Sequence, residues 1–141
     1  MSRRPAILIV DDNPNDVELL GMALEEGGVE VDVRSLMDGR AAIIELGRLA
    51  GQRRDAWPDL VVLDLNMPIT NGHEVLAHVA GDVRLRGLPI VVLTTSTSPE
   101  DRRRCEAMGA AAYVVKPRRF AEFAGIVDRL RPFLDPDRRA P

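Results

Sequence analysis

Five short runs rich in Val, Ile, Leu and Ala punctuate the chain at 6–10, 29–34, 59–63, 89–93 and 111–115. Four of them are nearly continuous in apolar residues, the pattern of strands in a parallel sheet covered by helices on both faces. The second alternates, with Val29, Val31 and Val33 set against Glu30, Asp32 and Arg34. That period of two marks an edge strand with one wetter face.

Between these runs the apolar positions recur at helical spacing. Asn13-Pro14 opens the first helix, with Pro in the first turn and Asp16 and Glu18 near the positive end of the helix dipole. Val17, Leu20, Met22 and Leu24 supply its apolar positions, and Gly27-Gly28 stops it. Further helices are expected over about 38–50, 72–81, 99–108 and 119–131. The third of these begins at Ser98-Pro99-Glu100-Asp101, a cap residue followed by Pro and two acids. Strand and helix alternate throughout, which implies right-handed crossovers and an open α/β sheet. The stretch 51–58, with Arg53, Arg54 and Trp57, reads as a surface loop, and 135–141 as a polar tail.

Length and charge narrow the field. At 141 residues the chain fits one domain with a full core over about 5–131, followed by a C-terminal arm or tail at 132–141. Its 19 basic and 22 acidic residues give a net charge of −3, without the basic excess that nucleic acid demands. The arginines, including Arg102-Arg103-Arg104, are scattered and read as a solvated surface. The start of the chain is too short in apolar residues for a signal peptide or membrane span. Cys105 stands alone, so no internal disulfide forms and a reducing cytoplasm fits; it reads as a small buried or half-buried helix residue. His73 and His78 lie five apart, poorly placed for shared ligation, and read as solvated helix positions.

One count changes the picture. The 19 basic residues are one lysine and eighteen arginines, and the lysine, Lys116, ends the apolar run Ala111-Ala112-Tyr113-Val114-Val115. Lys is a compact point charge where Arg is a wide planar fork, so a retained lysine at a strand end suits a bound phosphoryl group. In open α/β sheets ligands bind beyond the carboxyl ends of the strands. There the sequence places Asp11-Asp12, Asp64, Thr94-Thr95 and Lys116. Crowded carboxylates repel unless a cation neutralises them, and oxygen ligands without Cys or His favour Mg²⁺ over zinc. With charge drawn away by the metal and Lys116, Asp64 is placed to attack phosphorus and form an acyl phosphate, with Thr94 donating to a phosphoryl oxygen.

The ordered set Asp11-Asp12, Asp64 with Asn66-Met67-Pro68 and Gly72, Thr94, Tyr113 and Lys116-Pro117 resembles the receiver domains of two-component response regulators. That resemblance implies a flavodoxin-like, doubly wound, five-stranded parallel sheet in the order 2-1-3-4-5 with five helices. It implies a phosphoacceptor role for Asp64, the donor being a phosphohistidine on a sensor kinase. Asp12, Asp64 and the Asn66 carbonyl would bind Mg²⁺, with Asp11 acting largely through water. Lys116 would pair with the phosphoryl group from a cis Lys116–Pro117 peptide, and Thr94 and Tyr113 would form the switch pair. More narrowly, Asn13-Pro14-Asn15-Asp16-Val17-Glu18-Leu19 and Thr94-Thr95-Ser96 look like the single-domain regulators that pair with bacterial phytochromes.

Two other readings compete. A Mg²⁺-dependent phosphohydrolase of the haloacid-dehalogenase type also uses an Asp nucleophile, but needs a second Asp where this chain has Asn66, and a cap over its substrate. An adaptor with a vestigial site predicts missing site residues, and none is missing. With the receiver domain using up the chain, the signal is expected to leave by a surface contact or by onward phosphotransfer. Phe120, Phe123, Val127, Leu130 and Leu134 line the last helix, and Ile126 and Phe133 widen that face. Pro132 ends the helix near Arg131, so an arm is expected from Phe133-Leu134, and a homodimer through the last helix and that arm.

Overall fold

In the computed structural model, which describes residues 4–135, ten regular elements alternate without exception. They are β1 (Ala6–Val10), α1 (Pro14–Glu26), β2 (Asp32–Leu36), α2 (Gly39–Ala50), β3 (Leu60–Leu63), α3 (Gly72–Ala80), β4 (Ile90–Thr94), α4 (Pro99–Ala107), β5 (Ala112–Val115) and α5 (Phe123–Leu130). The five strands form one sheet in the order β2-β1-β3-β4-β5, and every neighbouring pair is parallel. The reversal of strand order falls between β1 and β3, and both carry acids at their carboxyl ends.

Alternation along each strand divides the core in two. Ile7 and Ile9 of β1 face α1 and α5, packing with Leu20, Leu24, Phe123 and Val127. Leu8 and Val10 face the other side, with Leu46 of α2, Val75 of α3 and Cys105 of α4. The central strands β1, β3 and β4 are buried on both faces, which is why their sequences run apolar without a break. Each such Val, Leu or Ile contributes about 1.5–3 kcal/mol of burial.

Where structure and sequence expectation part, backbone bonding decides. β2 begins at Asp32 rather than at 29, because the Val29 N–H is spent on the Leu24 carbonyl (3.0 Å), closing the end of α1 around Gly28 at φ +73°. The strand is the wet edge expected, with Val33 exposed. On α1 the buried stripe takes Ala23 between Leu20 and Leu24 and leaves Met22 exposed, since 20, 23 and 24 share a face and 22 does not. Trp57 is core and not loop surface: its indole N–H donates to the Leu49 carbonyl at 2.8 Å. His73 is no solvated position either, as described below, whereas His78 is exposed.

The last helix is shorter than expected. One 3₁₀ turn (Phe120–Glu122) leads into α5 and another (Arg131–Phe133) follows it, with Pro132 inside the second. That second turn folds the chain back, so Leu134 is buried against the α1–α5 core and no arm starts at Phe133-Leu134. Ile126 is buried as well, so the wide apolar face is largely consumed within the chain. The remainder of the expected tail, 136–141, lies outside the described residues.

Candidate functional site

Ladder bonds that continue past the strand ends fix the site. The Asp11 N–H donates to the Leu36 carbonyl (3.0 Å), the Asp64 N–H to the Val10 carbonyl (2.9 Å), and the Lys116 N–H to the Thr94 carbonyl (2.7 Å). Each of these three residues therefore hangs on the sheet itself, one step beyond its strand. The β3–α3 loop folds tightly behind Asp64, where the Gly72 N–H donates to the Leu65 carbonyl at 3.0 Å. A Cβ on Gly72 would fall 2.3 Å from the Asp64 carbonyl oxygen, so only glycine fits. On the same loop Ile69 is fully exposed at φ +66°, a left-handed conformation that costs a β-branched residue about 1–2 kcal/mol.

Each of the two buried acids divides its oxygens between backbone and ammonium. Asp11 Oδ1 accepts from the Asn13 N–H (2.9 Å) and Asp64 Oδ1 from the Asn66 N–H (3.3 Å). Their Oδ2 atoms both accept from Lys116 Nζ, at 2.9 and 3.2 Å. Lys116 makes a third bond, of 2.7 Å, to Asp16 Oδ2 on α1. Asp12 completes the group: Asp11, Asp12 and Asp64 each bring a carboxylate oxygen within 4.8 Å of the other two.

Four carboxylates against one ammonium leave three formal negative charges at this rim. Burial disfavours the charged form of Asp11 and pushes its carboxyl above the ordinary value, only partly offset by Lys116. Burial alone would lower the Lys116 ammonium, but hydrogen bonds to Asp11 and Asp16 and the charge of Asp64 outweigh it and hold it above the ordinary lysine value. An oxygen-only donor set with unbalanced negative charge fits a hard divalent cation such as Mg²⁺. The Lys116–Pro117 peptide is trans, against the cis form expected; X–Pro bonds favour trans by about 0.5–1 kcal/mol, and Lys116 reaches all three carboxylates from there.

Beside the acids, Thr94 is fully buried and its Oγ accepts from the Ser96 N–H (3.3 Å) and from Asn66 Nδ2 (3.4 Å). Tyr113 lies inward and buried, its hydroxyl donating to the Ser96 carbonyl at 2.9 Å. The Arg102 guanidinium sits 5.2 Å from the centre of the Tyr113 ring and donates to the Tyr113 carbonyl (3.3 Å). Ser96 Oγ donates to Asp101 Oδ2 at 2.6 Å, and the other oxygen of Asp101 meets His73 Nε2 at 3.0 Å. That hydrogen bond from Ser96, followed by His73, holds the Asp101 carboxyl below its ordinary value. Burial pushes the neighbouring Cys105 thiol up, which keeps it unreactive.

Every predicted site residue thus comes to one rim: Asp11, Asp12, Asp64, Asn66, Thr94 and Lys116, with Tyr113 behind Thr94. Sequence reading missed Asp16, taken only as a helix-start acid, and the His73–Asp101–Ser96 chain. The signal for Asp16 was present in its spacing, one helical turn beyond Asp12, but nothing local tied it to a residue a hundred positions away.

Comparison with known proteins gives a match to the response regulator receiver domain over residues 7–128. The probable methanogenesis regulatory protein FilR2 of Methanothrix harundinacea is 38% identical over 127 residues, covering 90% of this chain and 81% of that protein. The response regulator Rcp1 of Synechocystis sp. is 31% identical over 127 residues, covering 90% of this chain and 86% of that protein. In its Mn²⁺-bound crystal structure Rcp1 superposes with a TM-score of 0.79, at 31% identity over 93% of this chain and 95% of that one. The phosphorylated cyanobacterial phytochrome response regulator RcpA superposes with a TM-score of 0.81, at 33% identity over 94% of each chain. Family, strand order and the acid-lysine rim agree, and the chain belongs to the response regulator receiver domain family.

Proposed function

We propose that Asp64 is the phosphoacceptor of a two-component signalling system and that the chain signals by the rearrangement that follows its phosphorylation. The observation that carries this is the ammonium of the only lysine bonded to the Oδ2 of Asp64 among two further strand-end acids. Asp64 Oδ2 attacks the phosphorus of a phosphohistidine; the P–N bond breaks, the imidazole leaves with that electron pair, and an aspartyl phosphate forms. Asp12, Asp64 and the Asn66 carbonyl would hold Mg²⁺, with Asp11 acting through water, and the ion would supply charge neutralisation to the phosphoryl oxygens. The Mn²⁺-bound form of Rcp1 supports a divalent ion at such a rim.

Lys116 turns its ammonium to a phosphoryl oxygen. Thr94 Oγ already accepts two hydrogen bonds, so its own proton is available for another oxygen. A shift of Thr94 disturbs Ser96, and through the Ser96 carbonyl the hydroxyl of Tyr113, which makes Thr94 and Tyr113 the switch pair. Asn66 cannot act as the proton donor of a phosphohydrolase; its amide holds the hydroxyls of Thr94 and Thr95 (3.4 Å each).

The partner is a sensor histidine kinase, and the similarity to a phytochrome response regulator supports a bacteriophytochrome in that role. A cytoplasmic setting accords with the free, buried Cys105, and no helix among the described residues is long and apolar enough to cross a membrane. Half-buried Phe120 and Phe133 remain to support a homodimer through α5 and the turns that flank it, and a monomer in concentrated solution, phosphorylated or not, would remove that reading.

Labelling with acetyl phosphate tests the central claim. Mg²⁺-dependent, hydroxylamine-labile incorporation that disappears in Asp64→Ala is expected. Labelling that persists in the variant would place the phosphoryl group elsewhere.

A further inference from the structure

Lys116 Nζ has three N–H donors and all three are engaged, on Asp11 (2.9 Å), Asp64 (3.2 Å) and Asp16 (2.7 Å). The shortest of these bonds goes to the acid that stands apart from the group able to hold a metal, which comprises Asp11, Asp12 and Asp64. Asp16 also differs in placement: it belongs to the first turn of α1, and its side chain is 23% exposed where those of Asp11 and Asp64 are 6%.

Local structure explains why Asp16 is available. It is the third residue of α1 after the cap Asn13, the position from which an acid ordinarily folds back to the cap residue's own N–H. Here that N–H is already taken by Asp11 Oδ1 at 2.9 Å. The side chain of Asp16 is released from capping and reaches across to the lysine that follows β5.

We infer that Asp16 is a positioning residue for Lys116, holding the ammonium in the resting site in competition with the phosphoryl group. The inference rests on the phosphoacceptor reading of Asp64 and deepens it. When Asp64 carries a phosphoryl group, that group and Asp16 draw on the same ammonium. Asp16 weakens the hold of Lys116 on the bound phosphoryl and sets how tightly the activated state is held. Its place on α1 also makes the first turn of that helix sense where the lysine points.

Beryllofluoride, a phosphoryl mimic, gives the affinity in the presence of Mg²⁺, and ¹⁵N-lysine labelling gives a single ammonium signal because the chain has one lysine. In Asp16→Asn the resting ammonium loses a charge-assisted bond, so its protons exchange with water faster, and beryllofluoride binds about fivefold tighter. Asp16→Glu retains the charge and returns both readouts toward wild type. Glu18→Gln removes an exposed charge from the same helix without touching Lys116 and leaves the affinity unchanged, which separates the contact from a general field. Unchanged or weaker beryllofluoride binding in Asp16→Asn, while wild type binds, overturns this inference and leaves the phosphoacceptor reading intact. Wild type that binds no beryllofluoride and takes up no phosphate overturns both.

Discussion

The two helices that flank β5 are held by opposite means. α5 buries Phe123, Ile126, Val127 and Leu130 out of eight residues, whereas α4 buries only Cys105 out of nine. What holds α4 is polar and directional: Ser98 Oγ caps it through the Asp101 N–H (3.3 Å), Asp101 is tied to Ser96 and His73, and Arg102 lies over Tyr113. Apolar burial is non-directional and survives small shifts, at about 1.5–3 kcal/mol per large side chain. A neutral hydrogen bond nets about 1 kcal/mol and is lost when its partner moves. The difference places the apolar anchor on one side of β5 and the polar, directionally held helix on the other, and α4 takes part of its fixing from Ser96, just past the end of β4.

The largest effect that would sharpen this contrast is on α5. Leu130→Ala should lower global stability by about 3 kcal/mol, read as a shift of the urea midpoint, and should loosen all elements together. Asp101→Ala should cost only about 1 kcal/mol globally, yet speed amide exchange across α4 at least tenfold while α5 is unchanged. Equal acceleration in both helices would break the comparison.

Acid should act along the same line. The Asp101 carboxyl is held below its ordinary 3.8 by Ser96 and then His73, so its folded-state value lies below its unfolded one. A depressed carboxyl stabilises the fold above the unfolded value and loses that contribution as pH falls through the folded one. Protection of α4 should therefore drop below about pH 4 before that of α5, and Ser96→Ala should move the drop upward. The smallest effect is expected from Arg102→Ala, under about 0.5 kcal/mol in stability, since the guanidinium is exposed. A ¹⁹F label on the single tyrosine should nonetheless report a changed ring environment.

Much of this was legible in the chain. Continuous apolar runs placed four strands, and the helix starts read at Asn13 and Ser98 carry N-caps at those residues; Asp38 and Asn71 cap α2 and α3 in the same way. Strand-end position gave the site, because a parallel sheet brings every carboxyl end to one rim. What escaped were contacts between elements. Trp57 looked like loop because its neighbours Arg53, Arg54 and Asp55 are exposed, although its own ring turns inward. His73 and Asp16 find partners 28 and 100 residues away, and no local pattern encodes a distance of that kind. The stop at Pro132 was legible, since α5 ends at Leu130, whereas its start was not: Phe120–Glu122 forms a 3₁₀ turn in place of the first turn of the helix.

The buried indole of Trp57 has a practical consequence of its own. It lies before β3, at the end of that strand away from Asp64, with roughly 20 Å of extended chain between them. As the single tryptophan, packed in the core and bonded to Leu49, it makes the protein's intrinsic fluorescence a gauge of whether the fold is intact. Emission should red-shift on denaturation and stay unchanged when Asp64 is phosphorylated, so one optical signal separates loss of structure from phosphorylation without any added dye.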